Sequence, residues 1–241
     1  MILTRHYFNI KIVFGIYLFR MYDGNTKMTL RQWQSTAKPM EEIIYNASEC
    51  FYGKDFWVPF TIGVSVWYAN IPAENIPKTQ LGTHEKLLHC AISDCTDGRR
   101  RPTGKNRASI LRSLEERGVY NKKMSFTEYF ETLPEYKFVI SPEGNGIDCH
   151  RHYEAIMAGC IPIVENHPGI SEKYYGCPVL YTHDYSEITE EYLNQKYEEM
   201  IGQTFDFSRL FLSKYDQSTR DFIKHNGNYW GQKLIGKKWY N

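Results

Sequence analysis

No Cys-x-x-Cys pair occurs in this chain, and its six cysteines are scattered. Cys90, Cys160 and Cys177 lie in or beside apolar runs, where a free thiol behaves as a small hydrophobe, and Cys50, Cys95 and Cys149 have no metal-ligand spacing. This argues against a disulfide framework and against structural zinc, and for a reducing compartment. No Asp-x-Asp occurs either. The pattern that bridges a divalent cation to a diphosphate is therefore missing, and Asp94 and Asp97, in a loop crowded with cations, read as loop caps or acceptors. An excess of one charge is also lacking: 29 Lys and Arg stand against 28 Asp and Glu, for a net charge of +1. Broad nucleic-acid binding needs a dominant basic face, which this balance does not supply. The nearest thing to a long apolar run is Phe8 to Phe19, interrupted by Asn9, Lys11 and Gly15 and shorter than the roughly 20 residues a span requires. No small-residue cleavage site follows it, so it reads as a core strand, with no membrane span and no signal peptide. Internal repeats and low-complexity tracts are absent.

Aromatic side chains are plentiful, with 19 Tyr, 13 Phe and 5 Trp in 241 residues. Most must serve as core, although aromatic faces also suit the C–H surfaces of sugars. The length fits one large α/β domain or two small ones. The densest information lies between Lys137 and Val164. Lys137 to Ile140 is a short aromatic and β-branched run. Pro142 lacks a donor, and Gly144 and Gly146 tolerate positive φ, so Ser141 to Asp148 must be a polar loop. From His150 onward, Tyr153, Ile156, Met157 and Cys160 recur at helical spacing, and Gly159 followed by Ile161-Pro162 closes the helix and opens a buried strand. This is a βαβ unit, and ligands of open α/β sheets bind at loops that follow strand carboxyl ends.

On the predicted helix, Arg151 and Glu154 lie three residues apart, beside the loop and near the positive end of the helix dipole. An isolated pair of this kind is ordinarily a salt bridge on a solvated face. Here it follows a Pro-Glu-Gly-Asn-Gly loop and a further carboxylate at Asp148, and it leads into the wholly apolar stretch Cys160 to Val164. That context points to a nucleotide diphosphate. Arg151 can fork two hydrogen bonds onto phosphate oxygens, N–H groups at the helix start can add more, and Glu154 can accept from two ribose hydroxyls. Ser141, Glu143, Gly144, Asn145, Gly146 and Asp148 complete the candidate donor site, with Glu143 and Asp148 binding hydroxyls or shaping the loop.

Upstream, Leu87 to Ser93 reads as another buried strand, and Asp94 to Asn106 as a glycine-containing basic loop. A helix is predicted from Arg107 to Arg117, with Ala108, Ile110, Leu111 and Leu114 on one face and Gly118 as its stop. Arg99, Arg100 and Lys105 are candidates to surround a pyrophosphate at this helix start, and Arg107 is the best placed because the helix fixes its direction. The competing reading is a solvated arginine run.

Phe138-Val-Ile-Ser-Pro-Glu-Gly144 together with Cys149 to Val164 resembles the nucleotide-sugar-binding half of exostosin-like glycosyltransferases, in particular short soluble members encoded by large DNA viruses. The Arg-x-x-Glu helix followed by Gly-Cys-Ile-Pro-Ile also has an analogue in the α-1,3-fucosyltransferases. The resemblance covers residues 84 to 182 and implies an α/β fold of GT-B type, two Rossmann-like domains with a small N-terminal domain facing a nucleotide-sugar-binding C-terminal domain. It implies that Arg151 contacts the donor diphosphate and Glu154 the ribose, that the donor is a UDP-sugar with xylose the expected sugar, and that the acceptor is a glycan or glycoprotein. Glu143 and Glu154 lie further apart than the paired glutamates of retaining GT-B enzymes, so inversion by direct displacement is expected. No cofactor and no metal are expected, because the cations can neutralise the departing diphosphate. Cellular exostosins are membrane-anchored, so the missing anchor points to a cytoplasmic protein.

The expected division is residues 1–82 as a small acceptor-side domain, 83–225 as the nucleotide-sugar-binding domain and 226–241 as a tail packing back on the first. Pro72, Pro77 and Gly82 mark the linker. Residues 1–82 hold the Ile10 to Phe19 strand, an amphipathic stretch from Leu30 to Glu49 and an aromatic run from Phe56 to Tyr68. Downstream, a strand at Pro178 to Tyr181 and helices at Glu187 to Met200 and Ser208 to His225 are predicted. An acceptor hydroxyl needs a base. Asp23 is the first choice, because Asp23-Gly24-Asn25 follows the first strand and should open onto the cleft, and Asp94, Asp55 and Glu74 compete with it. Two other readings are an inactive relative that binds a nucleotide sugar or glycan without transfer, and a nucleic-acid-binding α/β domain using Arg99 to Arg107. The neutral charge counts against the second.

Overall fold

The computed structural model describes residues 20–48 and 58–241; the expected Ile10 to Phe19 strand, Cys50 and Asp55 lie outside them. The described residues 20–48 and 58–81 build short elements. β1 (Arg20–Met21) pairs in parallel with β3 (Thr36–Ala37), and β2 (Lys27–Thr29) runs straight into α1 (Leu30–Gln34). Thr29 starts that helix with a capping box, accepting from the Gln32 N–H while the Gln32 side chain accepts from the Thr29 N–H.

The centre of the molecule is one parallel sheet. β4 (Lys86–His89), β5 (Tyr136–Ile140), β6 (Ile161–Glu165) and β7 (Leu180–Thr182) lie side by side in chain order. Phe138 pairs with Leu88 on one side and Ile161 on the other, and Ile163 pairs with Leu180. Strands covered on both faces read as continuous apolar runs, and Phe138, Val139, Ile140, Ile161, Ile163 and Val164 are all fully buried. The crossovers carry α2 (Arg107–Glu115) and α3 (Phe126–Thr132) between β4 and β5, α4 (His150–Met157) between β5 and β6, and α5 (Pro168–Lys173) between β6 and β7. α6 (Glu190–Ile201) follows, then β8 (Thr204–Asp206), which pairs antiparallel with β2, and α7 (Gln217–Ile235).

Glycine ends two of these helices as the sequence suggests: Gly118 and Gly159 have φ of +81° and +82°, a conformation closed to most side chains. Three expected boundaries shift. β4 stops at His89 instead of Ser93, because Cys90 and Ile92 turn to the 119–122 connection: Lys122 N–H donates to Cys90 O (2.8 Å), and the Asn121 amide bonds both the N–H and the carbonyl of Ile92. The helix expected over Ser208 to His225 begins at Gln217, where Asp216 accepts from the Thr219 N–H, and Ser208 to Lys214 form single turns. It then continues past His225 through Gly227 and Gly231 to Gly236. The Pro72 to Gly82 stretch, expected as a linker, is packed. Gln80 is buried with its Oε1 accepting from the Lys38 N–H at 3.0 Å, and a Cβ on Gly82 would lie 2.3 Å from Pro134 O.

Of the two Rossmann-like sheets the resemblance implies, one is present among the described residues. Leu30, Trp33, Ile43, Ile44 and Tyr45 bury against α4 and the C-terminal elements instead of founding a second sheet. Trp33 Nε1 donates to Ile156 O at 2.6 Å and its ring stacks on Phe207 at 4.0 Å. Tyr153 OH accepts from the Ile44 N–H and donates to Leu210 O. Trp239 stacks on Tyr45 at 4.5 Å, and Tyr240 OH accepts from Tyr45 N–H (2.8 Å) while donating to Ile43 O (3.0 Å). Each buried large side chain contributes about 1.5–3 kcal/mol. Among the described residues no helix is long and apolar enough to cross a membrane.

Candidate functional site

β4 and β5 both release their chains at the same end of the sheet, and the two loops are tied together by Arg107. This residue, 5% exposed at the start of α2, donates from Nε to Glu143 O (2.8 Å), from Nη2 to Pro142 O (2.9 Å) and from Nη1 to Ser93 O (3.2 Å). Its backbone N–H is taken by Asp97 Oδ2. Arg107 was expected at a phosphate; in this structure its guanidinium serves three loop carbonyls, one of which, Pro142 O, also accepts from the Cys149 thiol (3.6 Å). Gly144 makes that approach possible, because a Cβ there would stand 3.0 Å from Arg107 Nη2. Neither Gly144 nor Gly146 uses a positive φ; Gly144 N–H instead donates to Gly146 O in a tight turn.

Most of the other expected donor residues are occupied within the fold. Glu143 pairs with Arg100 (2.5 Å), and Arg101 links Asp97 (2.8 Å) to Glu165 (3.2 Å). Lys105 pairs with Asp184 in an exposed contact. Among the described residues Arg99 is left exposed without an ion pair. Ser141 is fully buried against His152 Nδ1 at 2.7 Å. Asp148 is a latch: it accepts from Ile62 N–H, Lys173 Nζ and Tyr174 OH at 3.0, 3.1 and 2.9 Å, fixing residues 58–65 against the loop. Asn145 is exposed at the loop tip.

Arg151 and Glu154 behave differently. Among the described residues no ion pair joins them, so the simple helix-surface salt bridge does not form. The Arg151 guanidinium lies over the Tyr129 ring, 4.8 Å from its centroid, and Nε and Nη1 are buried with no hydrogen-bond partner. Tyr129 OH and both ring nitrogens of His89 are likewise buried without partners. His89 is 1% exposed, and burial, with Arg151 and Lys122 adding to it, pulls its pKa to about 3, so the ring is neutral. Glu154 is 6% exposed and accepts from the Ser65 N–H at 2.9 Å, beside a Ser65 hydroxyl that is itself unpartnered. Each unpaired buried polar group costs about 1–3 kcal/mol, so these groups gathered around one guanidinium set this part of the fold apart from the satisfied loops beside it. Cys149, just before α4, puts no side-chain cap on the helix N–H groups. Its Sγ is 3.5 Å from both His152 nitrogens; burial pushes the thiol up, but His152, Arg107 and Arg151 outweigh it and hold the pKa below the ordinary value. Sequence reasoning passed over Tyr129, His89, Ser65 and Cys149. The only local signal was the Cys149-x-x-His152 spacing.

The two catalytic candidates part company. Asp23 is exposed and engaged locally by Arg20 and by the Asn25 N–H, and these bonds lower its pKa. Among the described residues none of its contacts reaches α4 or the 141–148 loop. Asp94 stands exposed directly after Ser93, whose carbonyl Arg107 holds, and so lies beside the joined loops. Glu74 is an exposed residue of the Ala73–Thr79 turns. A surface groove of about 470 Å³ lined by His225, Asn228, Tyr229, Gln232, Lys233 and Lys238 gathers none of these residues.

Fold and site together define the class: a mixed α/β domain with a parallel sheet, whose carboxyl-end loops present an unpaired guanidinium and a buried carboxylate from one helix. Residues 101–220 match the family model of the RXYLT1 C-terminal domain. The match spans α2 through the start of α7, takes in both Arg151 and Glu154, and supports a glycosyltransferase-like domain. No curated protein matches the chain.

Proposed function

We propose that the chain transfers a sugar, xylose in the reading the family match favours, from a uridine diphosphate donor to a glycan hydroxyl. The observation that carries this is Arg151, at the start of α4: a guanidinium with two buried, unpartnered nitrogens, lying over the Tyr129 ring. An anionic oxygen is the partner such a group lacks. Arg151 then holds the diphosphate, the uncapped N–H groups of α4 add to it, and Glu154 takes the ribose hydroxyls. Residues 1–82 supply the acceptor side. Asp94, exposed on the loop after β4, is the preferred base, and displacement from the face opposite the nucleotide inverts the anomeric carbon. Charge on the leaving diphosphate is met by Arg151 and by Arg99, without a divalent cation. Glu143, Asp148 and Arg107 shape the loop.

A nucleotide-sugar binder without transfer is the second reading. It is favoured by the local engagement of Asp23, the first-choice base, with Arg20 and the Asn25 N–H. Calorimetric titration of wild type and Arg151→Ala with UDP in EDTA, then with magnesium or manganese, tests the site. Micromolar binding in EDTA that disappears in the variant is expected. Silence with UDP and with GDP from a folded protein removes the donor reading. UDP binding with no product from UDP-xylose and glycan acceptors favours the second reading.

A further inference from the structure

The stretch Val66–Asn70 packs on α3 through two ring pairs stacked in depth. The lower pair, Tyr68 and Phe130, is buried and meets edge to face at 5.1 Å. The upper pair, Trp67 and Phe126, lies nearly parallel, with centroids 5.5 Å apart and planes 26° apart, yet the two rings are 38% and 56% exposed. Large aromatic rings normally hide this area, and here a buried anchor below holds it open to solvent.

The position of the upper pair ties it to the candidate site from both arms. Trp67 is two residues beyond Ser65, whose N–H is bound by Glu154. Phe126 is one helical turn before Tyr129, on which the Arg151 guanidinium lies. We infer that Trp67 and Phe126 form a stacking platform for the nucleobase of the bound nucleotide. The inference rests on the donor reading above. With ribose at Glu154 and phosphate at Arg151, the group next outward along the Ser65 to Trp67 arm is the base, and a flat π-face is what an exposed indole and phenyl pair accepts. The phenyl of Phe126 has no hydrogen-bonding group, and the indole N–H of Trp67 lies in the ring plane, away from a base stacked on its face, so the platform supplies affinity more than base selection.

The test uses UDP and inorganic pyrophosphate as probes, titrated calorimetrically into wild type, Trp67→Ala, Trp67→Phe and Phe126→Ala. Wild type is expected to bind UDP more tightly than pyrophosphate. Trp67→Ala is expected to weaken UDP about tenfold and leave pyrophosphate unchanged, Trp67→Phe to recover most of the loss, and Phe126→Ala to act in the same direction. Both side chains are exposed, so thermal unfolding should show folded variants. Unchanged UDP affinity in both alanine variants, or equal losses for UDP and pyrophosphate, overturns the platform while leaving the donor site standing. Wild type that binds neither probe overturns both.

Discussion

Arg107 and Arg151 carry the same guanidinium within electrostatic reach of each other, yet Arg107 bonds three carbonyls while Arg151 Nε and Nη1 have no partner. Replacing Arg107 by alanine strips donors from the carbonyls of Ser93, Pro142 and Glu143, and a loss of about 2–4 kcal/mol in urea unfolding is expected. Arg151→Ala removes a cation whose Nε and Nη1 have no partner and which rests on the Tyr129 ring, so its stability should stay within about 1 kcal/mol of wild type while UDP binding fails. A second prediction concerns His84 and His89, which burial holds at about 4 and about 3, below the ordinary 6.5. The unfolded chain takes up these protons first, so stability should fall as pH drops below 6.5 and keep falling towards pH 3. Carboxylates protonate in the lower part of that range. The readout is therefore a difference: His89→Phe should show a shallower loss than wild type between pH 6.5 and 4 in urea titrations. At this scale the sequence was legible where a pattern is local to one helix: Arg151 and Glu154 do lie together on α4, directly after the loop. It was not legible where a partner comes from elsewhere. Tyr129, 22 positions before Arg151, carries no mark in the sequence of lying beneath it. Nor does the arginine run disclose that Arg100 and Arg101 are answered by Glu143, Asp97 and Glu165.

At the scale of the element, α7 shows why propensity misplaced a boundary. Gly227 and Gly231 discourage a helix when read alone, yet a Cβ at these positions would lie 2.4 Å from Tyr45 O and 2.5 Å from Lys237 O. They are glycine because other backbone passes that close. Alanine in a helix interior ordinarily gains about 1 kcal/mol over glycine. Here overpacking of about 1–3 kcal/mol wins, so Gly227→Ala and Gly231→Ala should both lower the melting temperature. Gly202, after α6, has nothing within 4 Å of such a Cβ and a negative φ, so Gly202→Ala should leave the melting temperature unchanged or raised. The strands β5 and β6 were legible because continuous apolar runs bounded by Pro142 and Gly159 admit few other readings. β4 was not legible to its end, since an amide side chain at Asn121, far along the sequence, takes over Ile92.

For the whole molecule, the parallel sheet follows from the βαβ pattern, but the way residues 20–48 and 58–81 attach does not. Their apolar side chains have no strand period to announce a partner, and the partner proves to be α4 together with the far end of the chain. Tyr240→Phe tests that closure. It removes the acceptor for the Tyr45 N–H and the donor to Ile43 O, and a loss of about 1–3 kcal/mol with no change in UDP affinity is expected from chemical unfolding and calorimetry. The same contact bears on how the protein is made. β4 to β7 can be laid down in order as the polypeptide lengthens, each strand beside the last. Tyr45, however, meets Tyr240 across 195 positions, a delay of about 10–40 s at ordinary rates of synthesis. Through that interval the newborn chain carries Tyr45 without Trp239 and Tyr240, so its yield in the cell should depend on chaperones that shield aromatic surface more than on the final stability of the fold.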